Sequence, residues 1–175
     1  MNATSLAFRP VERAPAPLRV GAVARADTDA LQALVREHAQ YTRLERHGDA
    51  RVRGDARMQQ LEFDEALFEP PVRAWAWLAR VGGDAVGYAA ATVGYSVLEG
   101  GYCFQLDALY VRDPWVTPEI ETALFEQVRA TAQRLGCVQL HWQSPAWQSH
   151  SRRFDASAER GECVGHVLRL TGHDD

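Results

Sequence analysis

The sequence predicts an α+β fold (mixed α/β), with a central mixed, mostly antiparallel sheet flanked by helices. Two glycine-rich turns, Gly82-Gly83-Asp84 and Glu99-Gly100-Gly101, separate three consecutive segments of strand character, which is typical of an antiparallel meander. An amphipathic segment from Thr117 to Gly136 then leads to another apolar segment, which indicates a helical crossover to a further strand.

The composition indicates one globular domain. The chain has 175 residues, of which 46% are hydrophobic and 24% charged, so it can bury a core without disulfides. The start of the chain is rich in proline and has no continuous apolar run. We therefore expect a flexible N-terminal tail over residues 1–17 and a single domain over residues 18–175.

Charge and cysteine usage narrow the possible partners. All 19 basic residues are arginine, and 23 acidic residues give a formal net charge of -4, so a nucleic-acid partner is not expected. The three cysteines have neither disulfide nor zinc-ligand spacing, which predicts a reducing, cytoplasmic location and no metal. No apolar run approaches the roughly 18 residues of a membrane span, so no membrane partner is expected.

The first part of the domain predicts a strand, a helix, a loop and a shorter helix. Residues 18–23 alternate as a strand, and Asp27 and Thr28 offer N-cap oxygens to the helix that follows. The apolar-face positions of that helix are Leu31, Leu34, Val35 and His38. A polar loop over residues 45–58 and a helix over residues 58–68 complete this part.

The meander follows, with predicted strands over residues 72–81, 85–97 and 102–111. Strict alternation along the third of these strands predicts two distinct faces. One face is expected to carry Tyr102, Phe104, Leu106, Ala108 and Tyr110. The opposite face is expected to carry Gln105 and Asp107.

The long helix has the clearest signals in the chain. Thr117 is expected to cap it, Pro118 suits its first position, and Gly136 ends it. Its predicted inward residues are Ile120, Leu124, Val128, Ala132 and Leu135. A strand over residues 137–143, a short helix over residues 148–158 and a closing strand over residues 163–170 are expected to follow.

Four segments in one register resemble a known family. They are Tyr41-Thr42-Arg43-Leu44-Glu45, Leu106-Asp107-Ala108-Leu109-Tyr110-Val111-Arg112, Gly136-Cys137, and Trp142 together with residues 147–154. With the order of elements, they are similar to the GNAT acyltransferase superfamily, and most closely to its diamine (spermidine/spermine-type) N-acetyltransferase branch. The resemblance covers about residues 18–171.

The resemblance implies acetyl-CoA as cofactor, a homodimer, and direct acetyl transfer to an amine in an opening between the fourth and fifth strands. The pantetheine would lie along the fourth strand, and the pyrophosphate would meet a glycine-rich loop at the start of the long helix. The positions that would bind the cofactor are Leu109, Val111, Thr117, Ile120 and Thr122.

The sequence departs from the family at that loop. Val116 stands where an arginine is usual, and Glu119 and Glu121 occupy the two defining glycine positions. Pro118 contributes no N–H, and the two carboxylates would interact favourably with the helix dipole and repel a phosphate. The segment around Glu119 and Glu121 is therefore typical of a well-capped helix start. Because side chains of the same turn occupy the helix N-terminus, it no longer offers a preformed site for an anion.

The catalytic positions depart as well. Asp107 and Ala108 match a glutamate that takes the amine proton and an acidic neighbour that binds the polyamine. Asp155 stands where a tyrosine acts as general acid. An ionised carboxylate lacks the proton for that role unless its pKa is strongly raised.

A candidate ligand cleft of aromatic and acidic residues suits a cationic or planar small molecule, although packing is the alternative for each aromatic ring. Its members are Tyr41, Glu45, Tyr110, Trp115, His141, Trp142 and Trp147. Within this set, His141 either pairs with Asp107 as a base and its orienting partner or is an ordinary hydrogen-bonded histidine.

Two function classes follow. The sequence favours a GNAT-fold protein, resembling small-molecule N-acetyltransferases, that is impaired in or lacks acetyl-CoA use and retains the inter-strand cleft for ligand binding or interaction. The alternative is an active acyl-CoA-dependent N-acetyltransferase that acts on a small amine or polyamine. If the protein is an enzyme, the resemblance implies an acyltransferase.

Overall fold

A five-stranded sheet is the centre of the computed structural model, which describes residues 16–46 and 56–143. Its strands lie side by side in chain order: β1 (Leu18–Ala22), β2 (Ala74–Val81), β3 (Asp84–Ser96), β4 (Gly101–Val111) and β5 (Gln139–Trp142). The first four are antiparallel neighbours, and β5 runs parallel to β4. The helices are α1 (Thr28–Arg46), α2 (Ala56–Phe68) and α3 (Pro118–Arg134). This arrangement confirms the predicted α+β fold.

The two predicted glycine turns join β2 to β3 and β3 to β4. Gly82 has φ +63° and Gly83 has φ +100°, while Gly100 has φ +63° in the second turn. Side chains with a Cβ rarely adopt these angles, so glycine determines where each strand reverses.

The helices cover opposite faces of the sheet. On one face, Leu31 and Leu34 of α1 pack with Ala76, Leu78 and Tyr88 of the sheet, and partly buried side chains of α2 join this cluster. On the other face lies α3, and its buried residues are Ile120, Leu124, Phe125, Val128, Thr131 and Ala132. Burial on both faces is expected for a sheet between two helical layers.

The predicted strict alternation along β4 is wrong, because the strand contains a β-bulge. Leu106 pairs with Ala91 and Ala108 pairs with Ala90, so Asp107 is an extra residue with no partner on β3. Because an inserted residue reverses the alternation, Ala108 and Tyr110 join the cluster under α1. They do not share a face with Phe104 and Leu106, as strict alternation had predicted.

The ends of the helices match the sequence signals in part. The Thr117 hydroxyl accepts from the backbone N–H of Ile120, Pro118 begins α3, and Gly136 follows its end with φ +70°, as predicted. The predicted inward position of Leu135 is wrong: it caps the helix and is 42% exposed, because α3 ends one residue before it.

The start of α1 also differs. A 3₁₀ turn, Arg25–Asp27, precedes the helix, and the Asp27 carboxylate accepts from the backbone N–H of Ala24 and from Arg80. The Thr28 hydroxyl donates to the carbonyl of Arg25. Both side chains therefore stabilise the turn before the helix rather than cap its first N–H groups.

Several predicted segments lie outside the described residues. They are residues 1–15 of the tail, the middle of the loop at residues 47–55, and the helix and strand over residues 148–158 and 163–170. The single domain over residues 18–175 stays a prediction. Among the helices within residues 16–46 and 56–143, none is long and apolar enough to cross a membrane.

Two glycines of β3 provide a matched test of how closely β3 and β4 approach. A Cβ on Gly87 would lie 2.7 Å from the carbonyl oxygen of Tyr110 and 3.1 Å from a Val111 methyl carbon, whereas a Cβ on Gly94 would meet nothing within 4 Å. We expect Gly87→Ala to lower the free energy of unfolding by about 1–3 kcal/mol because the strands must separate. Gly94→Ala should change it by less than about 0.5 kcal/mol. Urea unfolding measures both, and equal effects would contradict this packing.

Candidate functional site

The ladder between β4 and β5 ends where the bulge begins. Paired residues run from Cys103 and Gln139 to Leu106 and Trp142, while β4 continues to Val111. Within the described part of the chain, residues 107–111 therefore have β3 on one side and no β5 residue on the other. This free strand edge is the natural place for a ligand that hydrogen-bonds to the backbone.

Asp107 lies at the start of that edge and is exposed. Partial burial raises the pKa of its carboxyl group, and a hydrogen bond with the Thr92 side chain acts in the opposite direction. A carboxyl group with a raised pKa is a better proton acceptor when ionised. The residue is therefore chemically suited to an amine, whether as a base or as a counter-ion.

Three rings form a cluster between α1 and the end of β4. The His38 ring stacks on Tyr110 with centroids 4.9 Å apart and an interplanar angle of 11°, and its Nδ1 lies 2.9 Å from the Tyr88 hydroxyl. Burial lowers the pKa of His38 and raises that of Tyr88. The neutral form of His38 is therefore favoured at neutral pH.

The sequence had marked His38 only as an inward position of the first helix. A polar ring at a helical core position, facing a tyrosine-bearing strand, is the signal that could have singled it out. The bulge prevented this, because strict alternation assigned Tyr110 to the wrong face of the sheet.

An ion pair fixes α1 against the residue that follows β4. Arg112 donates two hydrogen bonds to Glu37, from Nε to Oε2 at 3.1 Å and from Nη2 to Oε1 at 2.6 Å. Such a two-point contact orients the guanidinium more strictly than a single bond. Its positive charge is directed to Glu37.

The first turn of α3 satisfies its own backbone donors. Pro118 has no N–H, the Ile120 N–H reaches Oγ1 of Thr117 at 3.4 Å, and the Glu121 N–H reaches the Thr117 carbonyl at 3.2 Å. The Glu119 carboxylate accepts from its own backbone N–H and from the Thr117 hydroxyl, and these bonds lower its pKa. The helix start therefore holds ionised carboxylate rather than open donors.

The remaining positions suggested for the cofactor are mixed in exposure. Val111 and Ile120 have buried side chains, so they offer a ligand only backbone atoms. Leu109 is half-buried, and Thr122 is exposed on α3.

The suggested cleft residues lie on different sides of the sheet. His141 is exposed, and its Nε2 lies 2.7 Å from Oε1 of Gln139. The ring of Trp142 meets Phe125 of α3 edge-on, with centroids 5.3 Å apart, whereas Tyr110 lies under α1. Trp115, after β4, is 39% exposed.

Four other candidates are described less fully. Tyr41 lies on α1 and is 47% exposed. Glu45 lies on the same helix, but its side chain, like the whole of Trp147 and Asp155, lies outside the described residues. In the part of the chain that is described, no three histidine, cysteine or acidic side chains are grouped to hold a metal ion.

No family model and no curated protein matches the chain. Several solved structures, in contrast, match most of the chain. The ribosomal-protein-alanine N-acetyltransferase from Brucella melitensis biovar Abortus 2308 is 20% identical, with 89% of this chain and 100% of that chain covered and a TM-score of 0.63. An aminoglycoside acetyltransferase from an uncultured soil metagenomic sample, in complex with sisomicin, is 15% identical, with 88% and 97% covered and a TM-score of 0.68.

A third solved structure carries a cofactor analogue. AAC(6')-Iy in complex with the bisubstrate analogue CoA-S-monomethyl-acetylneamine is 13% identical, with 88% of this chain and 99% of that chain covered and a TM-score of 0.65. These likenesses, together with the mixed sheet and its flanking helices, show that the chain has the GNAT acetyltransferase fold.

The half-buried His38 predicts a pH dependence of stability. Because burial lowers the pKa of His38 from 6.5, the unfolded chain binds more protons than the folded one as the pH falls below that value. We expect the free energy of unfolding to fall as the pH is lowered from about 7 to 5, and His38→Gln to lessen that fall. Urea unfolding at a series of pH values measures it, with the exposed His141→Gln as the matched loss of one histidine. Identical slopes in all three proteins would contradict the assignment.

Proposed function

We propose that the protein is a GNAT-fold protein that is impaired in acetyl-CoA use and retains the opening beside β4 for a small, cationic ligand. The observation that carries this proposal is the first turn of α3. Its N–H groups are met by Thr117 and Glu119 of the same chain, so a pyrophosphate would have to displace bonds already made.

The charges along the opening support the same proposal. Residues 107–121 contain the acidic Asp107, Asp113, Glu119 and Glu121. The same segment contains one basic residue, Arg112, and its side chain pairs with Glu37. A cation is attracted to such a segment, whereas a diphosphate is repelled by it.

The residues at the predicted catalytic positions also support the proposal. Asp107 is one methylene shorter than the glutamate that the resemblance implies, and Ala108 replaces the acidic neighbour. A shorter carboxylate reaches less far toward a bound amine, and proton transfer requires contact within hydrogen-bond reach, directly or through one water. Both changes favour binding over transfer.

The alternative is an active acyl-CoA-dependent N-acetyltransferase for a small amine. The edge of β4 at residues 107–111 favours it, since no β5 residue within the described part of the chain pairs there and a pantetheine chain would have backbone groups to bind. The structural likeness to an acetyltransferase that holds a CoA-containing bisubstrate analogue also favours it. A homodimer and a cytoplasmic location remain predictions for either function.

Calorimetric titration of acetyl-CoA at moderate salt tests the proposal. We expect no measurable binding to the wild type and a gain of binding in the double variant Glu119→Gly with Glu121→Gly, which removes the carboxylates and frees the helix start. The double variant Glu119→Gln with Glu121→Gln removes charge alone, so it separates repulsion from occupied donors.

Two controls accompany this titration. Glu126→Gln removes a carboxylate that pairs with Arg129 farther along α3, and it should leave the wild-type result unchanged. Thermal unfolding confirms that each variant is folded. Micromolar binding of acetyl-CoA by the wild type would overturn the proposal and restore the acetyltransferase alternative.

A further inference from the structure

An apolar cavity lies between α1, α2 and the sheet, apart from the aromatic cleft considered above. We name it the α1–α2 cavity, and its volume is about 80 Å³. It is lined by Leu31, Val35, Phe63, Ala66, Leu67, Ala74, Trp75, Ala76, Tyr88, Ala90, Ala91 and Asp107.

The lining is hydrocarbon with one charged exception. Among the described residues that line the cavity, Asp107 is the one with a formal charge at neutral pH. The Tyr88 hydroxyl is already hydrogen-bonded to His38. Asp107 is also exposed, so the cavity reaches solvent beside this residue.

This combination of features selects for an amphipathic ligand. A water molecule in the interior would find few polar partners, and apolar cavities of this kind stay dry or take up hydrocarbon. Partial burial raises the pKa of Asp107, against the effect of its hydrogen bond with the Thr92 side chain, so the ionised carboxylate has lost part of its solvation. A cationic group beside it would replace the lost water.

The volume limits the size of the hydrocarbon part. A dry cavity of about 150 Å³ is known to hold benzene, so about 80 Å³ has room for three or four carbon atoms. A polyamine would have to bury a second charged nitrogen in hydrocarbon, and an aminoglycoside its hydroxyls, which is costly without polar partners.

We infer that the α1–α2 cavity binds the short hydrocarbon group of a small monoamine, whose ammonium group pairs with Asp107 at the mouth. This inference rests on the proposed function, because it identifies the ligand that the fold holds without acetyl-CoA. Asp107 lies on the α1 side of the sheet, opposite to Phe104 and Leu106 as alternation predicts, and the bulge brings Ala108 and Tyr110 to the same side.

Calorimetric titration of isobutylamine into the full chain, without acetyl-CoA, tests the inference. We expect one site per chain, about tenfold weaker binding of the uncharged isostere isobutanol, and no tight binding of spermidine at this site. Asp107→Asn keeps the shape of the mouth and removes its charge, so it should weaken isobutylamine by about tenfold and leave isobutanol unchanged.

Variants of two alanines locate the binding. Ala66→Leu on α2 fills the cavity and should abolish isobutylamine binding, while Ala130→Leu on the exposed face of α3 should bind as the wild type does. Thermal unfolding establishes that both variants are folded.

Three results would overturn the inference: no isobutylamine binding to folded wild type, equal affinity for isobutanol, or full binding by Ala66→Leu. These results are separate from the acetyl-CoA titration. If acetyl-CoA fails to bind and isobutylamine fails as well, the inference alone is overturned. If acetyl-CoA binds tightly, the proposed function is overturned whatever the amine does.

Discussion

An extra residue in β4 sets the geometry on which most of the candidate site depends. Asp107 has no partner on β3, and the residues after it exchange faces with those before it. Tyr110 thereby reaches His38 under α1, whereas Phe104 remains on the face where the rings of Trp75 and Trp77 meet it. The ladder with β5 ends at Leu106, immediately before the bulge. A single insertion thus brings Ala108 and Tyr110 to the α1 side next to Asp107, at the point where the described ladder with β5 ends.

The close approach of β3 and β4 beside this edge depends on a small residue. Gly87 faces the carbonyl of Tyr110 at a distance that leaves no room for a Cβ. Arg112 continues the arrangement, because its backbone N–H donates to Val86 while its side chain binds Glu37. The end of β4 is therefore held from β3 and from α1 together, and the rings of the cluster have a fixed frame to pack on.

The sequence could predict the elements whose signals are local. Positive φ at Gly82, Gly83 and Gly100, and the pair Thr117-Pro118, depend on neighbouring residues alone, and each turn or helix start lies where the pattern put it. The bulge depends on pairing between two strands, and the exposure of Leu135 depends on where α3 ends against the sheet. Neither the bulge nor the end of α3 can be predicted from a local sequence pattern. Alternation therefore assigned Tyr110 to the wrong face of the sheet, and helical spacing assigned Leu135 to the wrong side of the helix.

The same distinction between local and long-range signals applies to the two features argued above, the start of α3 and the α1–α2 cavity. The filled start of α3 could be read from Pro118, Glu119 and Glu121, because a helix terminus is satisfied within its own first turn. The hydrocarbon cavity could not, since its walls come from α1, α2, β2, β3 and the bulge at once. Both features nevertheless support the same proposal about the charge of the ligand. Carboxylates lie at each end of the segment from Asp107 to Glu121, and the arginine between them is bound to Glu37, which supports the proposed preference for a cation over a phosphate.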